Sequence, residues 1–253
     1  MDSSVQANRL ARRDERARHV RDLLRDEILS GVHGSGILPS ESELAARFSA
    51  SRNSVREALD LLRREGILER VRGAGTFVVR TKAVHQVDHL SGMAESQEDG
   101  HRRVTIKVLD VDVISAPVAV ATKLGLEPWS DVVMYERRLD LDWEPLSLWT
   151  SYMPTKIAGG LLPGNAGVDF YELVENRFGM QLGTAEFVTE ARLADESLAR
   201  VLEIDPGAPI LFIERLLRDR DGRPVEFGFV HMRGDRIQFR SLLTRHADEG
   251  GRA

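Results

Sequence analysis

The chain has 253 residues, a formal net charge of −5 and no cysteine. That length can hold two modest domains, each with its own core, and the lack of cysteine excludes disulfides and thiolate metal sites. No stretch approaches the roughly 18 to 20 apolar residues that cross a membrane, and the charged N-terminus lacks the apolar centre of a secretory signal, so we expect a cytoplasmic protein without membrane contact.

Charge is divided unevenly along the chain. Residues 1–82 contain 16 Lys and Arg against 12 Asp and Glu, whereas the remainder contains 19 against 28. Because exposed charges are screened beyond about 10 Å at 0.1 M salt, the acidic part does not prevent the basic part from approaching phosphate. This division is typical of a protein in which one domain binds nucleic acid.

Composition and periodicity predict two domains, two mobile tails and a linker. We expect a mobile N-terminal tail over residues 1–15, a first domain over 16–80, a linker over 81–100, a second domain over 101–245 and a mobile C-terminal tail over 246–253.

The first domain is predicted to contain a helix-turn-helix. A supporting helix over 17–30 ends at Gly31, and Ser40 with Glu43 has the spacing of a capping box that opens the next helix. A further helix opens near Ser51 with an inward apolar stripe at i, i+3, i+4 and i+7. The stripe consists of Val55, Ala58, Leu59 and Leu62.

Polar side chains occupy the opposite side of this third helix at its start. Arg52, Asn53, Ser54 and Arg56 lie on the first turn and a half. A recognition helix needs its donors there, because its N-terminal end reaches base edges while its amide-rich terminus meets phosphate. The pattern therefore predicts a DNA-reading helix.

A short hairpin is predicted to follow. Residues 67–70 and 76–79 read as strands, and the turn between them contains Arg72, Gly73 and Gly75. The glycines allow backbone conformations that a side chain would forbid. A small hairpin with an arginine at its tip, placed after a recognition helix, indicates the wing of a winged helix.

The run from about Leu23 to Val79, with LPSESELAARF, SASRNSVREAL, LLRREGILER and RGAGTFV, resembles the winged-helix domain of the GntR family of bacterial transcription regulators. The resemblance implies that Arg52 and Arg56 face the major groove, and that Arg72 with Gly73 enters the minor groove of operator DNA. Family members often have a basic residue where Ser42 stands, so one phosphate contact is weakened or lost. The predicted DNA-binding residues are Ser40, Glu41, Ser51, Arg52, Asn53, Ser54, Arg56, Arg72, Gly73, Gly75 and Thr76.

Beyond the linker the hydrophobic period changes from 3.6 to 2, which predicts an antiparallel sheet with a few helices. The alternation of apolar and polar residues changes phase near Leu109, which indicates a bulge. We expect Ser115 to cap a helix, a second helix over 170–178 and a third capped by Asp195. The predicted strands cover residues 104–113, 132–140, 146–153, 184–193, 210–219 and 224–232.

The second domain also contains an internal repeat. The segments that begin at Leu124 and Leu202 align so that Glu136 and Arg137 fall on Glu214 and Arg215. Two copies of helix, strand, turn and strand predict a pseudo-symmetric sheet with a crevice between the halves, where ligands tend to bind.

This half resembles the UTRA ligand-binding domain of the HutC subfamily, whose fold is similar to that of chorismate lyase. The resemblance covers about 90–239 and depends on the order of LSGM, ATKLGL, EPLSL, DFYELVENRFG, ERLLRDRDGRP and RGDR. It implies an α+β protein that acts as a homodimer, with an effector in the second domain.

An effector site is predicted around the first copy of the repeat. Sugar-phosphate-sensing members have an R-x-R pair and a serine before the x-Tyr of the next helix, whereas this chain has Leu139 at the second arginine position and Asp169 at the serine position. A carboxylate that faces a phosphate dianion is repulsive, so a sugar phosphate is disfavoured. We expect an effector that is uncharged, carries one carboxylate or bears an amine. The predicted contacts are Arg137 and Asp169 as opposite poles, Arg138 if a bulge shifts the register, Tyr171, and Glu226 and His231 near the rim.

Three functions remain open from the sequence. The first is a transcriptional repressor controlled by a small molecule, and the second is an operator-binding dimer without an effector. The third is a lyase-like enzyme, which is disfavoured because no nucleophile-and-base pair, HExxH motif or glycine-rich phosphate loop is present. We expect no cofactor and no metal.

Overall fold

A computed structural model of the chain describes residues 2–34, 36–79, 82–93, 95, 102–158, 160, 161 and 167–244. The protein divides into two compact units, one over Met1–Lys82 and one over Ala83–Ala253. The predicted C-terminal tail over 246–253 lies outside the described residues.

The first unit is a three-helix domain followed by a hairpin, as predicted. Its core forms where the first helix packs on the stripe of the third, and Leu24, Leu44, Val55 and Leu62 are all fully buried. The elements are α1 over Asp2–Leu29, α2 over Glu41–Arg47, α3 over Arg52–Arg64, β1 over Leu68–Val71 and β2 over Gly75–Val78.

The first helix begins earlier than the sequence predicted. Helix α1 starts at Asp2, whereas periodicity indicated a helix only from Ala17. Residues 1–29 contain neither Gly nor Pro, so no residue interrupts the backbone hydrogen bonds once the packed part of the helix has formed. The mobility of residues 1–15 stays a prediction.

The second unit is built on one six-stranded antiparallel sheet in the order β4-β5-β6-β9-β8-β7. The strands are β4 over Val104–Ser115, β5 over Asp131–Leu141, β6 over Glu144–Pro154, β7 over Leu182–Leu193, β8 over Pro209–Asp219 and β9 over Pro224–Arg233. The helices are α4 over Val118–Leu124, α5 over Thr155–Ala158, α6 over Phe170–Glu172, a π-helix over Leu173–Arg177 and α7 over Glu196–Leu202.

The strand order confirms the internal repeat. From each outer edge inward, β4, β5 and β6 of one half correspond to β7, β8 and β9 of the other. The two halves meet where β6 pairs with β9. Arg137 of β5 and its repeat mate Arg215 of β8 therefore lie at equivalent places, one in each half. The predicted bulge near Leu109 is also confirmed, because the β4–β5 register shifts between Val108 and Asp110.

The predicted linker is partly strand. Residues Ala83–Gln86 form β3, which pairs in parallel with β10 over Ile237–Arg240. Neither strand was predicted, because four-residue segments carry too little alternation to be recognised and their pairing joins residues about 150 positions apart. The boundary between the units falls after Lys82, near the start of the predicted linker.

One local prediction in the second unit was wrong. Ser115 does not cap α4, whose first flanking residue is Pro117 and which has no side-chain cap. The helix predicted over 170–178 is confirmed, and it is α-helical to Glu172 and then a π-helix to Arg177. The predicted cap of α7 is also confirmed, since Asp195 accepts a hydrogen bond from the amide of Leu198 at 2.8 Å.

Gly228→Ala is expected to destabilise the second unit. A Cβ at Gly228 would lie 2.6 Å from the Thr150 carbonyl oxygen and 2.8 Å from the Glu226 Oε1 atom, and such overpacking costs about 1–3 kcal/mol. Urea unfolding followed by tryptophan fluorescence reports on this unit alone, because all three tryptophans lie in it. Gly167→Ala in the same unit is the control, since a Cβ there would have no neighbouring atom within 4 Å, and equal stability of the two variants would contradict the expectation.

Candidate functional site

The helix-turn-helix is held by the predicted capping box. Ser40 donates its backbone amide to Glu43 Oε2 at 2.8 Å, and the amide of Glu43 donates to Ser40 Oγ at 3.3 Å. The Ser40 hydroxyl also donates to Glu43 at 2.7 Å. This network fixes the start of α2, so Ser40 serves the local structure directly.

The start of α3 presents Arg52 and Asn53 to solvent. Ser51 caps this helix by accepting the Ser54 amide at 3.1 Å. Ser54 is only 2% exposed, and its hydroxyl lies 2.9 Å from Ser51 Oγ. The side chain of Ser54, a predicted DNA contact, is therefore buried in the turn.

Arg56 is exposed but is not free in the unbound protein. Its Nη2 lies 2.9 Å from Glu41 Oε2, and Arg70 lies 3.8 Å from the same carboxylate. The hydrogen bond from Arg56 is the main cause that lowers the pKa of Glu41. The carboxylate of Glu41 is thus the anionic partner of Arg56 in the unbound protein.

The hairpin between β1 and β2 has its arginine at the tip. Arg72 and Gly73 are exposed, Gly75 is exposed and Thr76 is half-buried. Gly73 and Gly75 have φ values of 82° and 122°, a region that favours glycine.

A cavity of about 170 Å³ lies in the second unit, on the face of the sheet that carries Trp149 and Arg215. Its walls are mainly apolar and aromatic, with the rings of His85 and Phe239 packed together at 5.4 Å. The lining residues are His85, Val87, Ser91, Met93, Trp149, Tyr171, Phe187, Thr189, Ile213, Arg215, Val230, Met232 and Phe239.

A buried ion pair lies on the same face of the sheet as the cavity. Arg215 and Glu226 are each 1% exposed and are joined by two hydrogen bonds, Nη2 to Oε1 at 2.8 Å and Nε to Oε2 at 3.1 Å. The Ser151 hydroxyl donates to Glu226 Oε1 at 2.7 Å. Glu226 was predicted near the rim, but it lies in the interior because three strands place their polar groups around it.

Arg137 lies beside this pair but is buried below aromatic rings. Its guanidinium packs 4.5 Å from the Phe170 ring centre and 4.6 Å from that of Tyr135, and Nη1 donates to Ser151 Oγ at 3.1 Å. Burial, together with repulsion from Arg215, lowers the pKa of Arg137 to about 10. Among the described residues no carboxylate lies within salt-bridge distance of it, and it is Arg215 that reaches the cavity.

Asp169 caps the helix α6 rather than forming a pole opposite Arg137. Its Oδ1 accepts the Tyr171 amide at 2.9 Å, and a Cβ on Gly92 would clash with its carboxylate. The negative charge nevertheless acts on Arg137, whose charged form it favours. Tyr171, which follows the cap, lines the cavity as predicted.

Two predicted contacts lie on the other face of the sheet. Arg138 donates to the Val201 carbonyl at 3.1 Å and pairs with Asp140 at 2.7 Å, beside α7. His231 packs against Phe212 at 5.2 Å. Because successive side chains on a strand point to opposite faces, neither Arg138 nor His231 reaches the cavity.

Several residues that line the cavity were not predicted, namely His85, Trp149, Phe187 and Thr189. The internal repeat did contain one usable signal, since it aligned Arg215 with Arg137. Within the described ranges, no group of three His, Asp or Glu side chains could hold a metal ion, and none of their helices is long and apolar enough to cross a membrane.

A helix-turn-helix with an exposed basic start, in one chain with a sheet domain that surrounds a cavity, defines the class of DNA-binding regulators. Two family descriptions match the sequence: residues 16–78 match the gntR family of bacterial regulatory proteins, and residues 99–238 match the UTRA domain.

Similar proteins agree with this class. The HTH-type transcriptional regulator Rv0792c of Mycobacterium tuberculosis is 32% identical over 83% of this chain and 78% of its own length. The HTH-type transcriptional repressor NagR of Bacillus subtilis is 29% identical over 82% of this chain and 86% of its own length. The crystal structure of PhnF from Mycobacterium smegmatis has a TM-score of 0.65 and 24% identity, and covers 90% of this chain and 100% of its own.

The chain therefore belongs to the gntR family of bacterial regulatory proteins and carries a UTRA domain. It is a DNA-binding transcriptional regulator with an effector-binding domain. The lyase-like alternative is set aside, because the similar curated proteins are named as a transcriptional regulator and a transcriptional repressor.

His231→Phe is expected to flatten the acid-induced loss of stability of the second unit. Burial, then the charge of Arg192, lowers the pKa of His231 below its usual 6.5. As the pH falls below about 6.5 the unfolded chain binds the proton first, so the stability present at neutral pH is lost toward pH 5. Urea unfolding at pH 7, 6 and 5, read by tryptophan fluorescence, measures this loss.

The control for this experiment is His89→Phe, which changes an exposed histidine of the same unit. The phenylalanine at 231 keeps the ring contact with Phe212. A pH dependence that is as steep in His231→Phe as in the parent protein would contradict the expectation.

Proposed function

We propose that this protein is a repressor that binds operator DNA as a homodimer in the bacterial cytoplasm and is released by a small effector held in the UTRA domain. The observation that carries the proposal is the exposed start of α3, where the side chains of Arg52 and Asn53 are open to solvent. Relatives that are called repressors, including NagR, support the direction of control.

In this proposal the DNA contacts come from two places in the first unit. The N-terminal end of α3 enters the major groove, where Arg52, Asn53 and Arg56 contact base edges or phosphates. The hairpin tip, with Arg72 and Gly73, approaches the minor groove. Ser51 and Ser40 contribute through backbone positioning, since their hydroxyls are engaged in caps. Ser54 is left out because it is buried.

In this proposal Arg56 exchanges one anionic partner, Glu41, for another, a DNA phosphate. In the unbound protein its carboxylate is held by Arg56 at 2.9 Å. A DNA phosphate offers the same chemistry with greater charge, so Arg56 can transfer from Glu41 to the backbone of the duplex. The ion pair with Glu41 holds the side chain of Arg56 in place until DNA binds.

A homodimer fits this mode of reading. One helix-turn-helix covers only half of an operator, and dimers read two half-sites about 34–36 Å apart. Coupling of about 1–3 kcal/mol between the effector and DNA is enough to change occupancy by at least severalfold.

The effector is proposed to be uncharged or to carry a single charge. The cluster below the cavity contains two cations, Arg137 and Arg215, and two carboxylates, Glu226 and Asp169, which balance in formal charge. A phosphate dianion would add two negative charges to this neutral cluster, and it would lose its hydration in a mostly apolar cavity. The rings of Trp149 and Phe239 favour a ligand with an apolar body.

Arg52→Ala is expected to weaken operator binding by at least about tenfold at fixed salt, because the homodimer loses one base or phosphate contact, worth about 1–3 kcal/mol, at each half-site. The operator is first recovered by selection from a random DNA library, and affinity is then measured by fluorescence anisotropy between 50 and 300 mM salt. The double variant Arg52→Ala, Arg56→Ala should also have a shallower salt dependence.

Arg64→Ala is the matched control. Arg64 is exposed on the last turn of the same helix, so its removal changes net charge equally but leaves the recognition end intact. Equal losses in Arg64→Ala and Arg52→Ala would mean that only general charge matters, and unchanged affinity and salt slope in the double variant would overturn the proposed interface.

Sugar phosphates are expected to be poor ligands of the full-length protein. Glucose 6-phosphate, used as the probe at 10 mM in a thermal unfolding assay, should raise Tm less than at least one of benzyl alcohol, benzoate and benzylamine, which have an apolar body with zero or one charge. Calorimetric titration that shows micromolar binding of glucose 6-phosphate, lost in Arg137→Ala or Arg215→Met, would overturn the proposed effector class.

A further inference from the structure

The carboxylate of Glu41 lies between two arginines that belong to different elements. Its Oε2 atom accepts from Arg56 of α3, with Nη2 at 2.9 Å and Nε at 3.3 Å. Its Oε1 atom lies 3.8 Å from Nη1 of Arg70, which is on strand β1 of the hairpin. Each oxygen therefore faces a different cation, and among the described residues these two are the only cations within 4 Å of this carboxylate.

Backbone hydrogen bonds hold the hairpin next to the start of α2. The amide of Leu38 donates to the Thr76 carbonyl oxygen at 2.9 Å, and the amide of Val78 donates to the Gly36 carbonyl oxygen at 2.8 Å. Arg70 pairs with Thr76 across the hairpin. The backbone therefore places Arg70 near the start of α2, and a substitution of its exposed side chain should leave the hairpin in place.

All three side chains are accessible enough to change partner. Those of Arg56 and Arg70 are 56% and 59% exposed, and that of Glu41 is 24% exposed. The hydrogen bond from Arg56 is the main cause that lowers the pKa of Glu41, and the charge of Arg70 acts in the same direction. Since a free glutamate already ionises near pH 4.3, Glu41 keeps its charge at neutral pH when Arg56 leaves it.

Release of Arg56 to DNA leaves a negative charge without its main partner. In the proposed function Arg56 exchanges Glu41 for a phosphate, so the carboxylate then lies next to a polyanion. Like charges at short range repel, and the repulsion grows where the bound duplex excludes water. A second cation on the other oxygen of the carboxylate reduces this repulsion, and Arg70 is the cation that the structure places there.

We propose that Arg70 is a positioning residue for operator binding, which stays on the Glu41 carboxylate as its counter-ion when Arg56 moves to the duplex. The inference rests on the proposed function, in which Arg56 contacts DNA. It adds a residue that acts on affinity through Glu41 rather than through a DNA contact of its own. The exposed side chain of Arg70 can close the present 3.8 Å separation to hydrogen-bond distance by rotation about its own bonds.

A double-mutant cycle tests the dependence on Glu41. The full-length variants are Arg70→Ala, Glu41→Gln and both together, and their affinity for the selected operator duplex is measured by fluorescence anisotropy at 150 mM salt. Arg70→Ala alone should weaken binding by about three- to tenfold, as expected for the loss of one exposed ion pair at each of two half-sites. In the Glu41→Gln background it should have no more effect than Arg64→Ala, because no carboxylate is left to neutralise.

Two further variants control for charge and for folding. Arg64→Ala removes the same charge from an exposed position on the last turn of α3, and so measures the effect of net charge alone. Arg70→Lys keeps a cation near Glu41 and should retain most of the parent affinity, although it lacks the planar fork of arginine. Thermal unfolding of Arg70→Ala should give the Tm of the parent protein, because the side chain is exposed.

Salt dependence distinguishes a counter-ion from a phosphate contact. Each phosphate contact contributes about 0.9 to the slope of log affinity against log salt. A residue that does not touch the duplex contributes little, so Arg70→Ala should have the slope of the parent protein between 50 and 300 mM salt. The double variant Arg52→Ala, Arg56→Ala should have a shallower slope in the same series.

The outcomes separate this inference from the proposed function. An affinity loss from Arg70→Ala that is as large with Gln at position 41 as with Glu41 would show that Arg70 acts independently of the carboxylate. A slope shallower by about 1 for each half-site would show that Arg70 contacts phosphate directly. Either result overturns the inference and leaves the proposed interface intact, whereas unchanged affinity in Arg52→Ala, Arg56→Ala removes both.

Discussion

The second unit depends on the buried ion pair between Arg215 and Glu226. Glu226 on β9 accepts hydrogen bonds from Arg215 on β8 and from Ser151 on β6, so a single carboxylate joins three neighbouring strands. Breaking such a pair by removing one partner typically costs about 3–5 kcal/mol, because a charge is left buried alone. Any shift of these strands would separate the groups, and the pair therefore specifies the register at the junction of the two halves.

The same ion pair explains the character of the cavity above it. Arg215 reaches the cavity wall, but its charge is already matched, so it can orient a ligand without attracting a dianion strongly. Trp149 lies over both arginines, 5.1 Å from Arg137 and 4.6 Å from Arg215. Aromatic faces stabilise guanidinium groups when water is excluded. The pseudo-symmetric sheet thus holds two cations in a largely apolar setting.

In the first unit the corresponding constraint is local. Ser40 and Glu43 fix the start of α2, and Ser51 fixes the start of α3, so the recognition end is set by hydrogen bonds between residues three apart in sequence. The ion pair between Glu41 and Arg56 then joins the two helices across the turn. Short-range bonds of this kind preorganise the DNA-facing surface, which limits the entropy that binding must remove.

The sequence alone determined the helix-turn-helix, its caps, the hairpin and the repeat, because each depends on contacts between near neighbours or on a regular period. The sequence also places Glu226 and His231 on opposite faces of the sheet, because they are five residues apart on one strand. Only the tertiary structure decided which face surrounds the cavity, that Arg215 rather than Arg137 reaches it, and that β3 pairs with β10. These depend on packing between distant segments, which no local pattern records.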